Sequence, residues 1–492
     1  MKAASTLMKP AWTLMVLTLL ATPAYAQPNP TESAPASALP TSAPSLAPAA
    51  SPPAILPDPE QQKFFLTLTQ AIEIAQQNNH DILLAQEKIK DARLQVTENG
   101  AQGLPQLTAT ASYGRQDPVL SQQTTDTSGG GGAGLGSNPQ FAAFLGTASV
   151  NTFNSAVTLN QLLFAGFRVI DGIRLARINV EMQEQALRQT RQNVAFQVTN
   201  AYFTALRALE VVELDKESLI QTREQIRIAD VKLRAGAGVK LDLLQARSQE
   251  IQVQQRLSMD LNSYEKAKMS LNQVLGRETL YPITLNTFAA VADFNVDSQQ
   301  GLKTALENRA DLRQLKFSKE ISELNATIQG RAVWPTISAQ VRYNLQDQAV
   351  VGGNNRSVSN LNYGLNMNWP LFDGFATQAK AQRAQETALQ AQISFDQMQQ
   401  RVILDIEQSL LDIKEAQERE QMARAGVELA QENLRLAAVS YREGVSIMLN
   451  VITAQVNLEQ ARNALINARF DMNVRKARLY QALGLDIIEH IK

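Results

Sequence analysis

Cysteine is absent from the 492-residue chain, which excludes disulfides, thiolate zinc sites, cysteine nucleophiles and a lipid anchor on cysteine. Histidine is almost absent too. His80 lies in NNHD within a predicted helix, and His490 lies near the end. Neither has a partner at metal-ligand spacing, and neither has a recognisable nucleophile neighbourhood. No phosphate-binding loop pattern occurs; Gly-rich 129–136 lacks the strand–turn–helix context such a loop needs. The chain is therefore read as a non-enzyme with no cofactor, no catalytic residue and no metal. Charge of one sign is also missing. The net charge of −1 leaves no basic footprint for nucleic acid.

Long apolar runs are missing beyond the N-terminus. Lys2 and Lys9 precede AWTLMVLTLLA, and Ala24-Tyr25-Ala26 supplies small residues at a cleavage site. Residues 1–26 read as a secretory signal peptide, too short in its apolar part for a spanning helix. Residues 27–62 are rich in Pro and Ala and read as an extended linker.

Proline becomes scarce after that, leaving only Pro105, Pro118, Pro139, Pro282, Pro335 and Pro370. An interior proline costs a helix about 3 kcal/mol, so the proline-free intervals can be continuous helices. The longest are 168–235 and 376–443; at ~1.5 Å per residue each reaches on the order of 100 Å. Shorter ones follow at 240–275 and 447–483, and others precede at 68–102 and 302–331. Leu187, Val194, Val198, Ala201, Ala205 and Val212 recur at threes, fours and sevens, as do Leu257, Leu261, Tyr264, Ala267 and Leu271. This spacing predicts coiled-coil packing with closely approaching helices.

The chain is duplicated. Asp81, Pro105 and Tyr113 match Asp311, Pro335 and Tyr343 at an offset of 230. Arg234, Gly236, Asp242 and Gly276 match Arg442, Gly444, Asn450 and Gly484 at 208. The offset falls by 22 because the Ser/Thr/Gly-rich segment around 121–139 lengthens the first copy. The repeats are assigned to 63–290 and 298–485, with a tail at 486–492.

Each copy also holds two stretches of two-residue period: about 105–116 and 150–163, then 335–346 and 359–371. In the last, Tyr363, Leu365, Met367, Trp369 and Leu371 alternate with Gly364, Asn366, Asn368 and Pro370. Strands of about ten residues with one apolar face suit a transmembrane barrel wall. Aromatics near their ends, such as Tyr113, Trp334, Tyr343 and Phe372, suit interfacial girdles. Four strands leave two open edges, which lipid does not tolerate, so the sheet must close with further copies. Two copies give eight strands and three give twelve. A competing reading is a periplasmic coiled coil with a structural or adaptor role, but an adaptor is expected to show one helical hairpin and this chain has two.

The repeated unit, LLFAGF (162–167) and PLFDGF (370–375) at the strand-to-helix junctions, and LRAGAGVKLDLLQA (233–246) and YREGVSIMLNVITAQ (441–455) at the helical turns resemble the TolC-type outer membrane efflux protein family over about 65–485. The resemblance implies a mainly α fold with β. In a homotrimer, four strands per chain would close a twelve-stranded β-barrel in the outer membrane above a periplasmic α-barrel. It also implies a passive channel in efflux or type I secretion, working with a periplasmic adaptor (membrane fusion protein) and an inner-membrane pump. By the same resemblance, Asp242 and Tyr441 match positions of a periplasmic gate. Asn450 and Thr453 stand where a relative has aspartates, which weakens a cation-selecting ring. The turns at Gly236 and Gly444 would form the periplasmic tip, where Lys232, Arg234, Lys240 and Arg442 could meet an adaptor. Arg342 shares a strand face with Ser338 and Gln340 and is expected to face the barrel lumen.

Overall fold

The computed structural model describes residues 65–117, 150–286, 290–292, 298–350 and 356–491, which lie in one compact unit, Gln62–Lys492. The expected signal peptide, linker and Ser/Thr/Gly-rich loop lie outside the described residues. The first repeat runs β1 (Phe65–Leu66), α1 (Leu68–Asn78), α2 (His80–Ala101), β2 (Gln106–Gln116), β3 (Val150–Phe164), α3 (Arg168–Arg234) and α4 (Lys240–Leu275). After β4 (Thr284–Leu285), the second runs α5 (Ser298–Asn308), α6 (Ala310–Gly330), β5 (Thr336–Val350), β6 (Arg356–Asn368), α7 (Ala376–Arg442) and α8 (Met448–Leu483). Among the described residues no helix is long and apolar enough to cross a membrane.

The four long strands form one antiparallel sheet in the order β2-β3-β5-β6. The two repeats join directly in it, because β3 pairs with β5. The last strand ends at Asn368 rather than running to 371. Pro370 cannot donate to a ladder, and the Trp369 indole N–H instead donates to the Val333 carbonyl at 3.2 Å.

Each long helix starts from a Gly-Phe pair. Phe167 and Phe375 have φ of 63° and 66°, a conformation that L-residues rarely adopt. Their rings pack edge to face on Phe164 and Phe372 at 5.6 and 5.5 Å, so ring packing holds the turn out of strand and into helix in both copies.

The intervals 68–102 and 302–331, expected as unbroken helices, are each split by one extended residue. Asn79 (ψ 129°) separates α1 from α2, and Arg309 (ψ 121°) separates α5 from α6. The Asn79 side chain accepts from the Asp81 N–H at 2.9 Å and donates to the Val274 carbonyl at 2.8 Å. The Arg309 guanidinium binds Asp311 at 2.7 Å and Asp405 at 3.0 Å. The glycine ending the short return helix sits against each break. A Cβ on Gly276 would meet the Asn78 carbonyl oxygen at 2.4 Å, and one on Gly484 would meet the Arg309 nitrogen at 2.9 Å. The break is thus a docking point, and it keeps the short helices in line with the long one.

The main core gathers here. Leu66, Ile72, Val198, Phe203, Leu271, Leu275 and Phe470 are buried together around the β1–β4 pair. Tyr202 Oη lies 2.9 Å from the Leu66 carbonyl and 2.8 Å from that of Asn286, and burial raises its pKa to about 12. Ile487, in the segment set apart as a tail, belongs to this core. The return seam differs in detail from its expected spacing: Leu271 is buried, but Leu261 is exposed and Val253 takes a core position.

Alanine at Gly276 should cost more than alanine at Gly236. Both need positive φ, at about 1 kcal/mol. Only the Gly276 methyl also strikes backbone, where overpacking adds roughly 1–3 kcal/mol. Denaturant unfolding of the two variants checks this; equal losses would contradict the docking role.

Candidate functional site

The two long helices end alike. The Ala237 N–H donates to the Lys232 carbonyl at 3.0 Å, and the Val445 N–H to that of Ser440 at 2.9 Å. Gly236 (φ 69°) and Gly444 (φ 77°) supply the left-handed residue that such a reversal requires. Asp242 and Asn450 then take the same place in the first turns of α4 and α8.

The structure brings Asp242 and Tyr441 together across the repeats. The Tyr441 hydroxyl donates to Asp242 Oδ2 at 3.1 Å. Tyr441 is only 5% exposed and packs with Ala229, Leu243, Met448, Val451 and Ile452. Burial first, and the Asp242 carboxylate second, push its pKa up to about 12, so the phenol keeps its proton at neutral pH. Lys232 adds a second link: its ammonium donates to the Tyr441 carbonyl and, at 3.3 Å, to that of Arg442. It also sits 4.2 Å from the Tyr441 ring centroid, a cation–π contact. Lys232 therefore serves an internal contact between hairpins, not a free surface charge.

Asn450 and Thr453 are not part of this link. Asn450 Nδ2 donates to Ser446 Oγ at 2.9 Å, and the Thr453 hydroxyl to the Leu449 carbonyl at 2.9 Å. Both line an open cleft of about 490 Å³ with Asn433, Ser440 and Asn457. Arg234 pairs with Asp230 at 2.7 Å, while Lys240 and Arg442 stand exposed at the turns.

Further along the hairpins lies a polar layer that sequence reading missed. Arg256 on α4 binds Asp215 on α3 at 2.9 Å and Glu459 on α8 at 2.6 Å. The Ser218 hydroxyl donates to Glu459, and Gln455 Nε2 donates to Thr222 Oγ1 at 3.2 Å. Burial, with Asp260 adding and Arg256 opposing, pushes the Asp215 carboxyl up to about 6. Its Oδ2 is buried without a donor among the described residues, which favours the protonated form. In sequence these are ordinary charges on helices; only their inward helical phase could have marked them.

At the other end, the sheet has two unlike faces. Tyr113, Phe153, Val157, Val341, Tyr343, Leu361, Tyr363 and Leu365 share one, by strand register. Thr108, Thr158, Gln340, Asn344, Asn362 and Asn366 share the other. Arg342 lies on this polar face, opposite Thr158 and Asn362. The apolar face is uncovered: Tyr363 is 82% exposed. Among the described residues, β2 and β6 are the sheet's unpaired edges.

Known proteins share this plan. The chain is 24% identical over 421 residues to the outer membrane efflux protein BepC of Brucella suis biovar 1 (strain 1330), covering 85% of each chain. It is 25% identical over 438 residues to the probable efflux pump outer membrane protein TtgC of Pseudomonas putida (strain KT2440), covering 85% of this chain and 82% of that one. The crystal structure of the Campylobacter jejuni CmeC outer membrane channel superposes with a TM-score of 0.68 at 18% identity, over 85% of each chain. A CusC structure superposes with a TM-score of 0.68 at 20% identity, over 89% of this chain and 99% of that one. The model of the family described as "Outer membrane efflux protein" matches residues 71–277 and 301–485, and the chain belongs to that family.

Proposed function

We propose that three copies of the chain close into one tube that conducts solutes out of the cell across the outer membrane, as the outlet of a tripartite efflux system. The observation that carries this is the four-stranded sheet, with an exposed apolar face, an amide-rich face and two unpaired edges. In lipid each unpaired backbone group costs several kcal/mol, so only a closed barrel is viable. The polar face would then line water. A lipid-facing arginine at mid-bilayer costs about 2–4 kcal/mol, so Arg342 on that face belongs to the lumen. Supporting the same reading, α7 leaves Leu389, Leu404, Leu411, Met422 and Leu429 exposed, a surface that neighbouring subunits would cover.

The helical hairpins would hang into the periplasm and meet a periplasmic adaptor (membrane fusion protein) and an inner-membrane pump at their turns, where Arg234, Lys240 and Arg442 project. The chain itself performs no catalysis, and the partner pump supplies the energy. In the resting state the Asp242–Tyr441 and Lys232–Tyr441 links hold hairpin to hairpin and keep the periplasmic end closed. The Asp215–Arg256–Glu459 layer keeps the hairpins registered above it.

Asp242→Ala and Tyr441→Phe should each raise resting conductance in planar bilayers. A charge-assisted hydrogen bond is worth about 1.5–3 kcal/mol, enough to shift an open–closed ratio by roughly ten- to a hundredfold. The double variant should add little to either single one, because one bond is removed in all three. Full additivity, or conductance unchanged in every variant, would remove the link from the gate.

The raised Asp215 pKa has a definite sign. Between about pH 4 and 6 the folded state holds this proton while the unfolded state, at a normal carboxylate pKa, has lost it. Stability from this group therefore falls as pH rises through that window and is level above it. Thermal unfolding at stepped pH should show a shallower decline in Asp215→Asn than in the wild-type chain; parallel profiles would contradict the assignment.

A further inference from the structure

The polar face of the sheet carries charge of one sign only. Register places Arg342 there, and Arg356 as well, since Arg356 opposes Gln348 six residues further along the β5 strand. No Asp or Glu shares that face in β2, β3, β5 or β6. The remaining charges of these strands, Arg115 and Asp347, lie on the opposite face, where they oppose Asn151 and Phe153. Arg115 is in addition paired with Asp117 at 2.8 Å. No described residue pairs with Arg342, and the face around it is Thr and amide. The chain as a whole carries −1, so this is a local arrangement and not a basic protein showing its bulk charge.

We infer that the barrel favours anionic over cationic solutes, with Arg342 and Arg356 as its specificity-determining residues. The inference rests on the channel reading, in which the polar face is the lumen. Two arginines per chain make two rings of three in a trimer, spaced by six residues, about 20 Å of strand. Screening at physiological salt acts over about 8 Å, comparable to the reach of a guanidinium into a barrel lumen, so ions on the axis feel the rings. Rings of Arg or Lys are the device by which pores select anions. The guanidinium stays charged throughout the physiological range, so its contribution to the preference should not vary with pH. At the far end, Asn450 and Thr453 are neutral and contribute no acidic ring to oppose it; of the gate residues only Asp242, one per chain, is acidic, and neither arginine variant alters it.

The test is the zero-current potential of the purified full-length chain in planar bilayers under a potassium chloride gradient. The wild-type chloride-to-potassium permeability ratio should exceed unity. Arg342→Gln with Arg356→Gln should lower it to unity or below. Arg342→Lys with Arg356→Lys, which keeps the charge, should preserve it. A potassium-preferring wild type, or an unchanged ratio in the double glutamine variant, would overturn the inference while leaving the channel intact. No current from any of the three would overturn the channel reading and this inference with it.

Discussion

Backbone N–H and C=O groups cannot stand unpaired in hydrocarbon, and each chain presents two rows of them. Strands β2 and β6 are the free edges of a sheet whose apolar face is exposed. Among the described residues nothing within one chain resolves that conflict. Four strands alternate in direction, so β2 runs antiparallel to β6, and any number of copies can join edge to edge without breaking the pattern. Assembly is thus a condition of the fold in a membrane, and the enclosed water path follows from it.

The helical part is subject to the same logic of matching lengths. Each 67-residue helix must be accompanied along its whole length, and no single partner in its repeat is long enough. One helix before the strands and one after the turn share the task, and they meet where Gly276 and Gly484 close on the breaks at Asn79 and Arg309. The core is densest at this junction, with Tyr202 reaching Leu66 in β1 and Asn286 just past β4. Away from it, α7 is sparsely buried, with only Val402, Ile406, Ser409, Ala416 and Tyr441 enclosed. A chain so incomplete alone is one whose interior is finished by its neighbours.

Much of this is legible in the sequence because duplication doubles every signal. Pro105 and Pro335 mark the two passages from helix into strand, and Gly236 and Gly444 mark both turns. Alternation locates the four long strands to within about four residues: β5 runs on to Val350 past the expected 346, and β6 stops at Asn368 because Pro370, counted as strand with Trp369 and Leu371, cannot pair. The helix breaks are hidden. Arg309 is a good helix former, and what extends it is a tertiary cage of Asp311, Asp405 and Gly484 that local propensity does not report. The Asp242–Tyr441 pair is reached through family resemblance, since no periodicity brings residues 199 apart into contact. Lys232 reads as a surface charge because its acceptors are carbonyls, which every residue has. Arg256 escapes notice because Asp215 and Glu459 lie 41 and 203 residues away from it.

The central claim is that β2 of one chain pairs with β6 of the next and that the ring closes at three. The absence of native cysteine makes this directly measurable. Cysteines are placed one in β2 and one in β6, scanned along both edges, and oxidised in membranes. Positions are expected at which covalent species stop at three chains, formed between chains and never within one. A ladder extending past three, or a bond joining β2 to β6 of the same chain, would contradict the claim.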